Sequence, residues 1–123
     1  MPHICLDTTS NLLENPDIND ILADLVGNLA EFETVASEAI KAYHTLRTHW
    51  VMGEGAPRGF VHCTVKLISG RPVELRQQIA DKMMDTLVRA FRQSIAEGEA
   101  GITVDVAEMS AATYRKSVNA KTT

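Results

Sequence analysis

The chain has 123 residues, 45% of them apolar, and a formal net charge of −4. That length fits one domain spanning 1–123, and that apolar share excludes a disordered chain. The mild, interspersed acidity argues against a nucleic-acid partner, which needs a basic face, but leaves room for a locally basic pocket for a small anion.

Residues 3–9, HICLDTT, read as a strand whose consecutive Ile4, Cys5 and Leu6 suit burial on both faces. Asn15-Pro16-Asp17 supplies a helix start, with Asn15 as N-cap and Pro16 at the first helical position. Ile18, Ile21, Leu22, Leu25, Val26, Leu29 and Phe32 follow at helical spacing. The period then changes. Residues 38–52 read as a strand broken near His44, and Gly53, Gly55 and Pro57 as a loop. Residues 59–68, GFVHCTVKLI, carry the strongest strand pattern in the chain.

Pro72 stands at a second helix start. Leu75, Ile79, Met83, Leu87, Ala90, Phe91 and Ile95 predict a helix over 73–96, with Arg76, Asp81, Lys82, Asp85, Arg89 and Arg92 on its solvated face. Residues 102–107 read as a last strand, followed by a small polar tail whose only aromatic is Tyr114. The order is strand–helix–strand twice over. Right-handed crossovers then give an α/β (α+β) fold, a pair of β-α-β units forming one four-stranded mixed sheet with two helices on one face. Ile40, Phe60, Val61 and Val104 look like more apolar strand surface than two helices can cover, so a second subunit is expected over the other face.

Cys5 and Cys63 lie in apolar strand runs and read as unpaired and non-catalytic thiols in a reducing compartment. Asp7, Glu14 and the lack of a basic start in residues 1–15 speak against a signal peptide. No apolar run reaches the roughly 18 residues that span a membrane. There is no CxxC or HExxH, and His3, His44, His49 and His62 lack ligand spacing, so no metal site is expected. His62 reads as a hydrogen-bonded core histidine, Met83 and Met84 as packing residues, and Trp50 as lining a pocket or an interface.

Pro2 is the residue with unusual chemistry. Inside a chain its nitrogen is an amide with no basicity. Freed by loss of Met1 it is a secondary amine, and burial or nearby cations would lower its pKa toward the range useful for proton transfer. Pro2 also leads straight into the first strand, which would hold the nitrogen still.

Met1-Pro2-His3, Phe60-Val61-His62, Thr64-Val65-Lys66-Leu67, Gly70-Arg71 with Glu74-Leu75-Arg76-Gln77-Gln78, and the tail pieces Glu108-Met109, Tyr114-Arg115-Lys116 and Asn119 resemble the tautomerase superfamily. Within it the chain is most similar to 5-carboxymethyl-2-hydroxymuconate isomerases, densest over 58–80. The resemblance implies a homotrimeric cytoplasmic isomerase with no metal or organic cofactor. It implies that an N-terminal proline, here Pro2, moves a proton in a carboxylated 2-hydroxy-dienoate or 2-oxo acid. Arg71 falls on a substrate-binding arginine of the family, and a guanidinium there can grip a carboxylate with two parallel hydrogen bonds. Lys41 stands where the family carries a second arginine and keeps the charge without the planar fork; Tyr43 stands at a nearby arginine position. Arg47 and Arg58 are candidates to compensate. The same proline could instead support hydration, decarboxylation or dehalogenation, and a non-catalytic trimeric binding protein is the alternative from another class.

Overall fold

The computed structural model describes residues 1–117. The first strand, β1 (His3–Thr9), leads into helix α1 (Ile18–Ala30) and an edge strand β2 (Lys41–Arg47). Strand β3 (Gly59–Ile68) then precedes helix α2 (Val73–Ala90), a short helix α3 (Arg92–Ala96) and strand β4 (Ala100–Met109). Asn119 lies outside the described residues. The sheet order is β2-β1-β3-β4. β1 runs parallel to β2 and antiparallel to β3, and β3 runs parallel to β4. The two β-α-β units therefore meet along the central antiparallel pair.

One face of the sheet carries Ile4, Leu6, Val61, Cys63, Val65 and Leu67, all buried beneath the helices. Leu25 and Leu29 of α1 and Ile79, Met83 and Leu87 of α2 close the core from above, and each is fully enclosed. Burying side chains of this size stabilises a fold by roughly 1.5–3 kcal/mol each.

Several local expectations shift. Helix α1 starts at Ile18 because Asp17, not Asn15, is its N-cap: the Asp17 carboxylate accepts from the Asn19 N–H at 2.9 Å. Pro16 thus precedes the helix. β2 is shorter than expected and runs unbroken through His44. It pairs only with β1, and the ladder ends at Thr9 and Arg47, so residues beyond have nothing to pair with. β4 is longer than expected because it follows β3 over that strand's whole length, Gly59 to Ile68.

The second helix breaks at Phe91, which is buried with φ −118° and ψ 32°. The break frees backbone amides, and the Glu14 carboxylate accepts from the N–H groups of Gln93 and Ser94. Burial pushes the Glu14 pKa up, but the hydrogen bonds from Ser94 and Gln93 outweigh it and hold the carboxyl below its usual value. Arg76 is half-buried rather than on a solvated face: its Nη1 lies 3.6 Å from Glu108 on β4 and its Nε donates to the Arg71 carbonyl.

The face of the sheet away from the helices differs from the apolar surface expected there. Val61 and Val104 pack into the core. Because side chains alternate along a strand, the opposite face carries His3, Cys5, Asp7, Lys41, Tyr43, Arg47, His62, Thr64, Thr103 and Asp105 beside half-buried Phe60. Polar groups there pair with one another. Arg47 Nη2 meets Asp7 Oδ1 at 2.7 Å. His62 bridges Thr103 (2.6 Å) and Thr64 (3.0 Å), so it is a hydrogen-bonded sheet residue outside the core.

Gly59 begins β3 where the end of β1 passes closely. A Cβ at this position would run into the Thr9 hydroxyl and the Asn11 side-chain oxygen, which are hydrogen-bonded to each other at 2.7 Å. Thr9 is buried and its hydroxyl also accepts from the Phe60 N–H, so it has little room to yield. Gly59→Ala is expected to lose about 1–3 kcal/mol of stability. Urea denaturation would show a lower midpoint with an unchanged slope; a midpoint equal to the parent's would contradict this packing.

Candidate active site

The pairing senses decide which residues meet. Parallel pairing sets the start of β1 beside the start of β2, with His3 opposite Lys41. Antiparallel pairing sets the start of β1 beside the end of β3, with His3 opposite Lys66. The end of β4 lies beside the end of β3, with Met109 opposite Ile68. The N-terminus, the β3–α2 turn and the C-terminal tail therefore gather at one end of the sheet.

A cleft of about 740 Å³ opens there, lined by Met1, Pro2, Thr34, Ala36, Glu38, Ala39, Lys41, Arg71, Lys116 and Ser117. The structure thus brings together all three residues singled out from the sequence. Pro2 is buried, and its carbonyl accepts from the Lys41 N–H at 3.1 Å, which extends the β1–β2 ladder to the proline. The nitrogen is thereby fixed at one end of a rigid sheet, at the start of an interior strand.

Arg71 is held by backbone. Its Nη2 donates to the Thr34 carbonyl at 2.8 Å, its Nη1 to the Ile68 carbonyl at 3.2 Å and its Nε to the Thr34 hydroxyl at 3.2 Å. No carboxylate partner neutralises it among these contacts, so its full charge faces the cleft while its geometry is preset. Sequence reading missed Thr34, which sits in the irregular stretch after α1 and carries no local signal of its purpose. It also missed any role for Lys116, whose place depends on how the tail folds back.

Lys41, Arg71 and Lys116 against Glu38 make the cleft's lining cationic. The amine at the start of β1 reports that field. Its pKa falls below the ordinary value through burial first, then through Lys116, Arg71 and Lys41. With Met1 in place that amine belongs to Met1, and the Pro2 nitrogen is an amide.

Arg47 and Arg58 do not compensate for Lys41. Arg47 pairs with Asp7 at the far end of β2, and Arg58 is exposed beside Glu99. Trp50 sits in the loop after β2 and donates its Nε1–H to the Arg58 carbonyl at 2.9 Å. A second cavity of about 270 Å³ lies at the other end of the sheet, lined by Thr8, Glu14, His44 and Phe91 among others. Several of its polar groups already have partners: Thr8 Oγ1 and His44 Nε2 are 2.8 Å apart, and Glu14 caps α3. Among the described residues no three His, Cys, Asp or Glu side chains form a metal-holding group. Nor is any described helix long and apolar enough to cross a membrane.

Comparison with known proteins identifies the family. The model of the 5-carboxymethyl-2-hydroxymuconate isomerase family matches residues 2–123. The chain belongs to that family. Its members are named for an isomerisation, and the chain is an isomerase of the tautomerase fold. The 5-carboxymethyl-2-hydroxymuconate Delta-isomerase of Escherichia coli is 28% identical over 96 residues, 74% of this chain and 73% of that protein. The crystal structure of a 5-carboxymethyl-2-hydroxymuconate isomerase from Deinococcus radiodurans R1 superposes with a TM-score of 0.86 at 24% identity, covering 96% of this chain and 90% of that one. A fused 4-OT described as a wild type symmetric trimer gives a TM-score of 0.70 at 18% identity, covering 95% and 92%. These likenesses to solved structures establish the fold.

The two thiols are unpaired, as expected. Cys63 is fully enclosed in the core, and burial, with a smaller contribution from Cys5, pushes its pKa up to about 12. The thiolate is the reactive form, so this sulfur should be inert. Native protein treated with iodoacetamide at neutral pH should keep Cys63 unmodified, and denatured protein should be modified at both cysteines. Peptide mapping checks this; rapid modification of Cys63 in the folded chain would contradict its placement.

Proposed function

We propose that the chain, after loss of Met1, tautomerises a small carboxylated 2-hydroxy-dienoate or 2-oxo acid, with the Pro2 amine as general base. The observation that carries this reading is the convergence of Pro2, Arg71 and Lys41 on one cationic cleft. Removing Met1 converts the Pro2 amide into a secondary amine. Burial and the surrounding cations disfavour its protonated form, which keeps the free base available near neutral pH. The neutral amine takes a proton from the substrate hydroxyl or an adjacent carbon. The resulting dienolate carries negative charge toward the carboxylate end, where Arg71 and Lys41 stabilise it, and the prolinium returns the proton elsewhere on the conjugated system.

Arg71 supports the electrostatic part of this scheme because its fork is preset by Thr34 and Ile68 and needs little reorganisation during reaction. Lys41 supplies charge from the start of β2 without bidentate geometry. The substrate named for the relatives, 5-carboxymethyl-2-hydroxymuconate, is a carboxylated dienol of the class such a cleft suits. We further propose a cytoplasmic homotrimer of one 123-residue domain, a reading supported by the fused 4-OT trimer of the same fold. Edge strand β2, with Tyr43 and Leu46 exposed, offers a surface for assembly.

Pro2→Ala retains a terminal amine and should be impaired rather than inactive. Arg71→Ala should lose about 10²–10³ in turnover of a carboxylated enol. It should lose far less on an uncharged enol. Steady-state kinetics of the Met1-free proteins on both substrates test this. Equal losses on charged and neutral substrates, or no isomerisation of any carboxylated enol by the parent, would overturn the assignment.

A further inference from the structure

The C-terminal tail does not simply leave the sheet. After β4 it turns back on itself: the Tyr114 and Thr113 N–H groups donate to the Ser110 carbonyl at 3.1 and 3.2 Å. Arg115 Nη1 donates to the carbonyls of Ala112 and Tyr114, both at 3.0 Å. The folded tail is then tied to the start of β1. The Tyr114 hydroxyl lies 3.1 Å from His3 Nε2, and the Tyr43 hydroxyl lies 3.3 Å from His3 Nδ1. Both tyrosine rings meet the imidazole edge-on, with centroids 6.3 Å and 6.0 Å away. A neutral imidazole offers one donor and one acceptor, and a phenol can serve either, so one ring links both hydroxyls.

His3 is the residue after the proline, and Lys116 is the second residue after Tyr114. A bond between His3 and Tyr114 therefore fixes Lys116 over the start of β1. Lys116 lines the cleft with Arg71 and Lys41 although it comes from the tail beyond the last strand. Losing this tie removes a contact that sets where Lys116 sits, beside the cations Lys41 and Arg71.

We propose that the Tyr43–His3–Tyr114 chain is a clasp that holds the C-terminal tail across the cleft, so that Lys116 binds a second carboxylate of the substrate, remote from the one gripped by Arg71. Lys116 is then a specificity-determining residue that favours dicarboxylated over monocarboxylated enols, and Tyr114 is a positioning residue acting through it. Arg71 is anchored to backbone and sets one end of the ligand, whereas Lys116 reaches in from the tail and can meet a group further along it. This inference rests on the cleft being the substrate site proposed above.

The test uses the full-length Met1-free protein and variants Lys116→Met, Lys116→Arg, Tyr114→Phe and the Lys116→Met/Tyr114→Phe double. With a dicarboxylated enol, Lys116→Met should raise KM roughly 10- to 100-fold, the range for losing a charge-assisted hydrogen bond. Whatever loss of the Lys116 charge does to the Pro2 amine falls on both substrates alike, so the ratio of kcat/KM for a dicarboxylated over a monocarboxylated enol should fall by that factor. Lys116→Arg should retain the preference. Tyr114→Phe keeps the ring and loses the hydroxyl, so it should raise KM in the same direction by a smaller factor. The double variant should be no worse than Lys116→Met alone, because Tyr114 acts only through that lysine. Additive losses, or equal losses on both substrates, would overturn the clasp. Binding of saturated hexanedioate and hexanoate by calorimetry separates this inference from the isomerase reading, since neither anion reacts. Weaker hexanedioate binding with unchanged hexanoate binding in Lys116→Met supports the clasp even in a chain without isomerase activity; a change in both or in neither contradicts it.

Discussion

The pairing of β1, parallel on one side and antiparallel on the other, is the constraint on which the rest of the molecule depends. A strand's first residue has one neighbour that is starting and one that is ending. That arrangement places the beginning of β2, the turn after β3 and the tail after β4 around Pro2. Cations from three separate stretches, Lys41, Arg71 and Lys116, converge there without any local sequence motif linking them. The core beneath the helices makes the arrangement rigid: Ile4 and Leu6 of β1 are fully enclosed, so the start of the strand is anchored within two residues of the proline.

Concentrating positive charge around an amine has an energetic consequence in each direction. Like charges disfavour the protonated amine, which lowers its pKa and keeps a base ready. The same charges attract a carboxylated ligand, whose binding relieves their mutual repulsion. Glu38 is the acid in the lining and leaves the balance positive. Arg71 avoids neutralisation because backbone carbonyls, which carry no net charge, hold it. An arginine fixed by a carboxylate would have been equally ordered and far less useful to an anion.

The fold was largely legible in the sequence, because alternation in β3 and the apolar stripes of α1 and α2 report burial directly. Two features of it were not. The break at Phe91 depends on Glu14, about 80 residues away in sequence, capping the amides it frees. The polar outer face of the sheet was misjudged because valines counted as spare surface turn inward, and alternation assigns faces only once the register is known. Pro2, Arg71 and Lys41 were legible as candidates through resemblance, and the topology supplies the physical reason they meet. Thr34 and Lys116 were not, since one acts through its carbonyl and the other through a tail whose fold rests on His3. Tyr43, read as a lost arginine, has its own work in that contact, and its hydroxyl is pushed up to about 12 by a hydrogen bond with Cys5 and by burial.

The central claim is that the Pro2 amine of the processed chain is a base whose pKa is lowered by its burial and by the cations of the cleft. Titration of the Pro2 nitrogen by ¹⁵N NMR in Met1-free protein tests it directly. Burial at the start of the chain, then Lys116 from the tail, Arg71 from the β3–α2 turn and Lys41 from β2, act to disfavour the ammonium form. The account predicts a pKa below the roughly 8 of an ordinary chain-terminal amine. It also predicts an upward move when Arg71 is replaced by alanine. A pKa at or above 8 that does not respond to loss of Arg71 would contradict it.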